Sequence, residues 1–425
     1  MTKHNISIKK NPASVTVYDM IVVGGGASGM MAAGRAGERG LKVLVLEKNK
    51  ILGEKLHITG GGRCNVTNFE LDNRVLLKKY GKAEPFLYSL FSHFSVKHTA
   101  LFFESRGLPL VVEAQKRAFP ITQKAGDVVS VLEKYLSQGN VTVVCLSPVT
   151  KINVDKENIV GVVCTDTQYK AKKYVLATGC MSHPETGSTG DGFLWLEKLG
   201  HRVMKPTPTI VPLKVSNPWI KSLAGVTLPA VSIVFYLDGK KQFKVQGNIL
   251  CTHFGLSGPT ILNNAVKVAD LLQQGTVTAK VDMYPQMDNA ELERTIIDIF
   301  DKNKNKTLKN IIKEIAKEGT AKGVTLLLDQ KIDTYTKVNL ITKEQRKSIV
   351  RLLKEMPISV VGLMGFDRAV IADGGVPLEE IDMKTMRSKK IENLFITGDL
   401  LHIQRPSGGF SLQLCWSTGY VAGSQ

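Results

Sequence analysis

Apolar residues form a strand–helix–strand pattern near the start of the chain. Residues 18–23 are a largely apolar run that ends in glycines, which is typical of a buried parallel strand. Residues 27–39 are rich in alanine, methionine and glycine and stop at Gly40, which predicts a tightly packed helix. A second apolar run at 42–46 predicts the next strand of a parallel sheet.

The pattern of apolar residues along the rest of the chain indicates an α/β part that is interrupted by an insert. After Gly200 prolines break the pattern, and the chain returns to turn-and-strand signals only after residue 369. Helical spacing predicts helices at 84–106, 125–137 and over most of 290–355. Apolar runs predict strands at 108–112, 141–146, 149–154, 159–165, 173–176, 231–237 and 394–396, with 149–154 and 159–165 forming a hairpin.

These elements predict an α/β fold with one split, Rossmann-like domain made from both ends of the chain. We expect the first part of that domain at 17–200 and the second part at 356–425. Between them we expect a β-rich insert at 201–287 and a helical insert at 288–355.

A glycine motif follows the first predicted strand. Gly24, Gly26 and Gly29 form G-x-G-x-x-G, and Glu47 follows at the end of the second strand. Such a loop places a diphosphate on the helix N-terminus, and the acidic residue accepts hydrogen bonds from a ribose. The motif predicts a dinucleotide cofactor, with further contacts from Ala27, Ser28, Lys48 and Val149.

Two later strand ends favour FAD over NAD as the tightly bound cofactor. Residues 177–179 are Ala-Thr-Gly and 397–399 are Thr-Gly-Asp, each after an apolar run. Together with the N-terminal motif they form the pattern of the glutathione-reductase-like FAD fold. In that fold Thr178 and Gly179 lie by the cofactor, while Gly398 precedes Asp399, which is placed to bond the ribityl chain.

Five separated motifs resemble the BaiN-like flavoproteins, also called the aminoacetone-oxidase family. The motifs are GGGRCNVTN at 60–68, RAFP at 117–120, ATGCMSHPETGSTGDG at 177–192, THFGLSGPTIL at 252–262 and GGV…SGGFSLQ at 374–413. The resemblance implies FAD, a split FAD domain, and an insert with β-barrel-like and helical parts. It also implies either reduction of a steroid-type enone or oxidation of a small amino ketone.

The chain departs from that family near the expected flavin ring. His-Ile-Gln-Arg at 402–405 replaces Asp-Val-Asp-Gly, and Gly-Gly-Phe-Ser at 408–411 replaces Gly-Gly-Tyr-Asn. Gly-Asp at 398–399 stands where the family usually has Gly-Glu, and Cys180 stands where it has a second glycine. These changes leave the substrate open.

Two glycine-containing segments are expected to run beside the flavin. Gly61 and Gly62 allow main-chain N–H groups to approach the ring, with Arg63 and Asn65 fixing the loop or the substrate and Cys64 as a neighbour of the ring. The last predicted helix begins near Gly409, Phe410 and Gln413, and its positive end would stabilise the anionic reduced ring.

His183 and His402 are the candidates for proton transfer, with Arg405 or Arg63 as a binder of an anion or carbonyl. His57 and His253 are weaker candidates. Cys64 has no nearby partner cysteine, which disfavours a disulfide-reducing enzyme. No cluster of acidic residues and histidines has metal-site spacing.

Composition and charge indicate the cell compartment and the kinds of binding partner that we expect. The six cysteines are scattered through 425 residues and are expected to be free thiols. Because no secretory signal or spanning segment is visible either, we expect a cytoplasmic protein. The formal net charge is +18, and residues 302–354 hold 14 Lys and Arg against 5 Asp and Glu. These lysines are either a solvated helix face or a nucleic-acid surface.

The function expected from the sequence is therefore an FAD-dependent oxidoreductase of a small organic or steroid-like substrate. No second dinucleotide motif is evident, so a reductase would need NAD(P)H bound transiently or another donor, whereas an oxidase would need only O₂. A flavoprotein that modifies RNA and a non-catalytic FAD-binding protein remain as alternatives.

Overall fold

The protein is represented by a computed structural model that describes residues 16–165 and 167–425. The expectation that no secretory signal is present falls on residues 1–15, outside the described residues. The strands are β1 Val17–Val23, β2 Val43–Leu46, β3 Thr67–Asn68, β4 Leu110–Glu113, β5 Arg117–Pro120, β6 Val141–Val144, β7 Val149–Asp155, β8 Asn158–Cys164, β9 Thr167–Leu176, β10 Met204–Ile210, β11 Leu213–Val215, β12 Thr227–Leu237, β13 Lys240–Cys251, β14 Gly255–Ser257, β15 Val277–Asp282, β16 Met356–Leu363, β17 Ile371–Gly375, β18 Ile381–Asp382, β19 Arg387–Ser388 and β20 Leu394–Ile396.

The α-helices complete the secondary structure, apart from short 3-10 turns. They are α1 Ala27–Glu38, α2 Glu54–Ile58, α3 Asn73–Leu77, α4 Glu84–His93, α5 Val96–Glu104, α6 Ala125–Ser137, α7 Asp191–Lys198, α8 Pro218–Ser222, α9 Pro259–Leu262, α10 Ala265–Leu272, α11 Asn289–Lys302, α12 Leu308–Ile315, α13 Ala321–Leu328, α14 Lys343–Lys354 and α15 Phe410–Gly423.

The chain divides into two compact units. The first contains the described residues up to Pro208 together with Val370–Gln425, and the second contains Thr209–Ala369. The first unit is built around parallel strands in the order β6-β2-β1-β9-β20, extended by β19 and β18 and by the β7–β8 hairpin on β9. The predicted split, Rossmann-like α/β domain is confirmed, as is the hairpin.

Helices α1 and α15 pack closely on each other because small residues line their contact. A Cβ added to Gly419 would lie 2.4 Å from the carbonyl oxygen of Ser28. A Cβ added to Gly423 would lie 2.3 Å from the carbonyl oxygen of Ala32. The last helix of the chain is therefore fixed against the first helix, which follows the glycine motif.

The second unit contains a closed antiparallel barrel in the order β11-β14-β13-β12-β15-β16. Helices α11 to α14 lie between β15 and β16 in the chain and share one apolar core with the barrel. Leu308, Ile311, Ile312 and Ile315 of α12 are buried in that core, whereas Lys309 and Lys313 are exposed on its other side. The expected β-barrel-like and helical parts are both present.

The structure differs from two predicted boundaries. The predicted helix at 84–106 is two helices: the first ends at His93, where the backbone of Phe94 is extended, and Ser95 caps the second in a reciprocal arrangement with His98. Strand β16 at Met356–Leu363 pairs with β15 and β11 of the barrel, although the sequence division placed 356 in the α/β domain. The four-part division at 200, 287 and 355 stays a prediction, since the two compact units divide after residues 208 and 369.

No helix within the described part of the chain is long and apolar enough to cross a membrane.

Candidate cofactor and active site

The carboxyl ends of three neighbouring parallel strands lie side by side in the first unit. Val23 of β1 is in register with Leu176 of β9, and Leu176 is in register with Ile396 of β20. The segments that follow these strands therefore start at one edge of the sheet, which is where open parallel sheets bind ligands. The glycine motif and the two later strand ends predicted from the sequence meet at this edge.

The three glycines of the motif have different surroundings. Gly24 has a φ of +104°, and a Cβ there would lie 2.6 Å from the carbonyl oxygen of Ala177. A Cβ on Gly29 would lie 1.9 Å from the carbonyl oxygen of Gly24, whereas a Cβ on Gly26 would meet no atom within 4 Å. The first and third glycines are required by close packing, and the second leaves the open space that a diphosphate-binding loop needs.

Helix α1 presents its N-terminus directly after this open glycine. The first helical bond runs from the N–H of Met30 to the carbonyl of Gly26, at 2.9 Å. The N–H groups of Ala27, Ser28 and Gly29 therefore have no acceptor within the helix, and no acidic side chain stands in the first turn. This end of the helix suits a negatively charged ligand.

Glu47 lies against the glycine loop at the end of β2. Its side chain is buried, with 7% of the residue exposed. One carboxylate oxygen accepts the N–H of Gly25 at 2.7 Å, and the other accepts the N–H of Asn49 at 2.8 Å. The carboxylate is held in place by backbone donors, as a ribose-binding acid should be.

Lys48 follows Glu47 in the chain, and Val149 follows a segment that bonds the main chain of Glu47. The Lys48 ammonium pairs with Asp191 at 2.8 Å. Burial raises the pKa of Asp191, but hydrogen bonds from Lys48 and a neighbouring hydroxyl outweigh this and hold the pKa below its usual value. Val149 begins β7 two residues after Ser147, whose N–H donates to the carbonyl of Glu47 at 2.8 Å.

The strand ends of β9 and β20 carry the other expected cofactor residues. Gly179 and Gly398 have φ values of +74° and +62°, so both turns use the left-handed region that glycine tolerates. The Oγ1 atom of Thr178 is buried and lacks a hydrogen-bond partner within the described residues. The carboxylate of Asp399, in the turn that follows β20, pairs with Arg405.

Arg405 is buried inside the protein. Its side chain is 2% exposed and donates to Asp399, to the carbonyl of Ile403 and to the hydroxyl of Ser411 at 2.7 Å. Burial lowers the pKa of this guanidinium, but the charge of Asp399 outweighs the burial and raises it. These contacts make Arg405 a positioning residue for Asp399 and do not favour the expected role as a binder of substrate.

The glycine segment after α2 forms one short turn at Thr59–Gly62. Gly61 and Gly62 have φ values of +69° and +84° and are exposed. A Cβ on either would meet no atom within 4 Å. The main chain here is open to an approaching group, as the sequence analysis expected.

The residues that follow fix this turn. Arg63 donates to Glu113 at 2.9 Å and stacks on the ring of Phe119, with 3.9 Å from the guanidinium carbon to the ring centroid. With its amide oriented to suit its neighbours, Asn65 accepts the N–H of Gly409 at 3.1 Å. Arg63 and Asn65 therefore bond to protein groups and hold the loop, which is one of the two roles expected for them.

The six cysteines are free, as expected, and all of them except Cys145 are buried. Burial raises the pKa of Cys64 to about 12, although a hydrogen bond with Thr59 opposes the change. Burial also raises the pKa of Cys415 well above its usual value. A protonated, buried thiol is a poor nucleophile, so Cys64 is not a reactive group at neutral pH.

The N-terminus of α15 follows Gly409, whose φ is +97°. Phe410 packs edge-on against Tyr80. The Gln413 side chain is fully buried and accepts hydrogen bonds from Thr67 at 2.7 Å and from Thr99 at 3.0 Å. Gln413 therefore belongs to the protein core.

The chain matches the family model described as the HI0933-like protein Rossmann domain over residues 18–425. It belongs to this family. The resemblance seen in the five sequence motifs is thereby confirmed, and the protein is an FAD-dependent oxidoreductase.

Named relatives span almost the whole chain. A 3-dehydro-bile acid delta(4,6)-reductase of Clostridium scindens is 27% identical, over 95% of this chain and 97% of its own. A ribosomal RNA dihydrouridine synthase of Haemophilus influenzae is 26% identical, over 94% of this chain and 96% of its own, and that of Escherichia coli is 25% identical, over 95% and 96%.

Two solved structures share the fold. A 3-ketosteroid-delta4-(5alpha)-dehydrogenase from Rhodococcus jostii aligns over 96% of each chain with 15% identity and a TM-score of 0.53. A 3-ketosteroid delta1-dehydrogenase from Sterolibacterium denitrificans aligns over 96% of this chain and 98% of its own, with 13% identity and a TM-score of 0.53. At these identities the likeness shows the fold alone.

The residues of this family member fit FAD on their own chemistry. The open space at Gly26 and the exposed turn at Gly61 would be filled by added Cβ atoms. The buried Oγ1 of Thr178 and Nδ1 of His402 both lack partners within the described residues. Both atoms are covered by protein, so the observation that fits FAD is the open space at Gly26 beside the N-terminus of α1.

The two candidate histidines are held differently. His183 has a φ of +52°, an uncommon value for a residue with a side chain, and its Nδ1 lies 2.7 Å from a carboxylate oxygen of Glu185. The side chain of His183 is 25% exposed. The backbone N–H of His402 donates to the carbonyl of Val376 at 2.9 Å, which fixes the start of the loop at 402–411.

A Ser–His–Glu arrangement that the sequence analysis did not find lies elsewhere in the first unit. The His201 ring, 4% exposed, bonds Glu380 through Nδ1 at 2.7 Å and Ser388 through Nε2 at 2.8 Å. The Ser388 oxygen accepts two backbone N–H groups, so its own proton goes to Nε2 and the imidazole is neutral. Burial lowers the pKa of His201, although Glu380 opposes this, and the buried hydroxyl cannot serve as a nucleophile.

Sequence reasoning also missed Lys55. Its ammonium donates to the hydroxyl of Ser182 at 3.2 Å and lies 3.9 Å from the sulfur of Cys180. Both partners follow β9 and are buried. A lysine one residue into a short helix carries no sequence motif that points to a cofactor edge.

Proposed function

We propose that this flavoenzyme reduces a carbon–carbon double bond conjugated to a carbonyl group. The observation that carries the proposal is the reaction shared by the names of its relatives. A 3-dehydro-bile acid delta(4,6)-reductase and a ribosomal RNA dihydrouridine synthase both add hydrogen across such a bond, in a steroid ring and in a uracil ring. The two substrates differ in size and charge, but the chemistry is the same.

When bound, reduced FAD supplies the hydride, and the chain must supply a proton to the neighbouring carbon. We assign the proton to His402, which is half-buried in a loop that begins three residues after Asp399 and whose Nδ1 has no hydrogen-bond partner within the described residues. His183 is the alternative donor, but its imidazole is already bonded to Glu185. Arg405 acts in this scheme by holding Asp399 and the loop.

The first candidate substrate is a steroid-like enone, and the proposed donor is NAD(P)H bound transiently. The relative with 27% identity over 95% of this chain is named as a reductase of a bile acid. The chain has one G-x-G-x-x-G motif after a strand, so we propose no separate nicotinamide domain.

The second candidate substrate is a uridine in RNA, and a specific observation favours it. Lys302, Lys304, Lys306, Lys309 and Lys313 are exposed on the second unit, in a chain with 56 Lys and Arg against 38 Asp and Glu. Two of these ammonium groups have acidic partners, Asp301 at 3.6 Å from Lys304 and Glu314 at 4.0 Å from Lys306, and such exposed pairs are weak. RNA phosphates can therefore replace the acidic partners of these lysines.

One experiment tests the reaction and both substrates. The purified holoenzyme is mixed without oxygen with NADH or NADPH and then with a 3-oxo-Δ4,6 steroid or an unmodified ribosomal RNA fragment. We expect the flavin to bleach and one substrate to gain two hydrogen atoms by mass spectrometry. If RNA is the substrate, its affinity falls steeply with salt, with a logarithmic slope of about 0.7–0.9 per phosphate contact.

The proton assignment has its own control. We expect His402→Gln to lower the rate of substrate reduction by about 100-fold while flavin bleaching by the donor changes by less than about 2-fold. His183→Gln should leave both rates within about 3-fold, and the reverse pattern would move the assignment to His183. No bleaching by either nucleotide, together with peroxide formed from an amino ketone in air, would contradict the proposed reductase.

A further inference from the structure

The cations near the cofactor edge differ in whether a carboxylate neutralises them. Lys48 pairs with Asp191 at 2.8 Å, and Arg405 pairs with Asp399. Lys55 has no ion pair with any carboxylate within the described residues. Lys55 is therefore the cation at this edge whose charge remains for a ligand.

The neighbours of Lys55 fix its ammonium group without cancelling its charge. Ser182 is 1% exposed and accepts a hydrogen bond from it at 3.2 Å. Cys180 is fully buried at 3.9 Å from the ammonium, and its sulfur lies 3.7 Å from a carboxylate oxygen of Asp399. The Cys180 sulfur thus contacts both the Lys55 ammonium and the Asp399 carboxylate.

The backbone around Lys55 is attached to the glycine motif. The N–H of Gly53 donates to the carbonyl of Gly25 at 2.9 Å. A Cβ on Gly25 would lie 2.3 Å from the side chain of Leu52, which shows how closely the two segments pack. Lys55, two residues further on, is therefore tethered near the glycine loop and contacts the buried residues that follow β9.

The glycine loop itself supplies no full positive charge. Residues 24–29 are Gly-Gly-Gly-Ala-Ser-Gly, and they contribute only backbone N–H groups and the partial charge of the helix N-terminus. The diphosphate of FAD carries two negative charges at neutral pH. We propose that the Lys55 ammonium binds the FAD diphosphate, held in place by Ser182 and Cys180. This proposal rests on FAD binding alone and is independent of the substrate.

The test compares Lys55→Met with Lys50→Met, which removes the same charge from an exposed position in the same segment. Apoprotein is titrated with FAD, and the midpoint potential of bound FAD is measured separately. We expect Lys55→Met to raise the Kd for FAD by about 10- to 100-fold with the midpoint potential unchanged. Lys55→Arg should recover most of the affinity, and Lys50→Met should change the Kd by less than about 2-fold.

Each other result overturns the proposal. An unchanged Kd in Lys55→Met would show that the ammonium does not touch FAD. A raised Kd with a lowered midpoint potential would place the charge at the flavin ring instead of the diphosphate. An equal loss in Lys50→Met would show a general effect of surface charge. Chemical unfolding of the apo variants separates all of these from loss of the fold.

Discussion

Replacing Gly26 or Gly29 with alanine adds the same methyl group at two positions three residues apart in one motif. At Gly26 the backbone has a φ of −82°, which alanine adopts without strain, and the new Cβ would meet no atom within 4 Å. At Gly29 the new Cβ would lie 1.9 Å from the carbonyl oxygen of Gly24, a distance at which the backbone must move. The two variants therefore separate cofactor binding from folding.

The expected free energies follow from these surroundings. Alanine at Gly26 restricts the unfolded chain, which stabilises the folded protein by about 0.4–1 kcal/mol. Alanine is also a poorer helix N-cap than glycine, which destabilises the folded protein by a similar amount. The free energy of unfolding of the apoprotein should thus change by less than about 1 kcal/mol. Alanine at Gly29 overpacks a rigid contact, and we expect a loss of about 1–3 kcal/mol or more.

Two assays distinguish these outcomes. Urea unfolding of the apoprotein gives the change in stability, and titration with FAD gives the Kd. We expect Gly26→Ala to raise the Kd for FAD at least about 10-fold, equivalent to about 1.4 kcal/mol, because its methyl group occupies the space assigned to the diphosphate. An unchanged Kd in Gly26→Ala, or equal destabilisation by both variants, would refute this placement of the cofactor.

Three further predictions concern buried polar groups. Arg405→Met should lower the free energy of unfolding by about 3–5 kcal/mol because it leaves the Asp399 carboxylate without its partner, and adding Asp399→Asn should recover part of the loss in the same urea assay. Folding lowers the pKa of His201 below 6.5, so the unfolded chain takes up the proton first as pH falls. Stability should therefore decline from pH 7 towards pH 5, by about 1.4 kcal/mol for each unit of pKa shift, and His201→Gln should flatten that decline in urea titrations at several pH values. Cys64→Ala should keep the rate of flavin reduction within about 2-fold in a stopped-flow assay. A variant that no longer reduces its flavin would show that Cys64 is a redox thiol.

The parts of the cofactor site that the sequence predicts are those that follow strands. Gly24, Thr178 and Asp399 each come directly after an apolar run, and the carboxyl ends of parallel strands meet at one edge of the sheet. The apolar runs in the sequence and this general property of parallel sheets are enough to predict that the three residues lie near one another. The same reasoning placed Gly61 in an open turn.

Contacts between distant side chains could not be predicted in that way. Lys55 reaches Ser182 across 127 positions of the chain, and although Ser182 stands in the motif at 177–192, Lys55 stands in none of the five motifs. Gln413 was expected to face the cofactor because it stands near a helix N-terminus, but hydroxyl groups from two other segments hold it in the core. The alternating pattern of Met356–Leu363 shows a strand without showing which sheet it joins.

The proposed reaction requires that reduced flavin in this protein saturates a conjugated double bond. The holoenzyme can be photoreduced without oxygen and mixed, in a single turnover, with a 3-oxo-Δ4,6 steroid or with RNA that contains the target uridine. We predict that one of the two restores the absorbance of oxidised flavin and is itself recovered with two added hydrogen atoms. Flavin that stays reduced in the presence of both substrates would contradict the account.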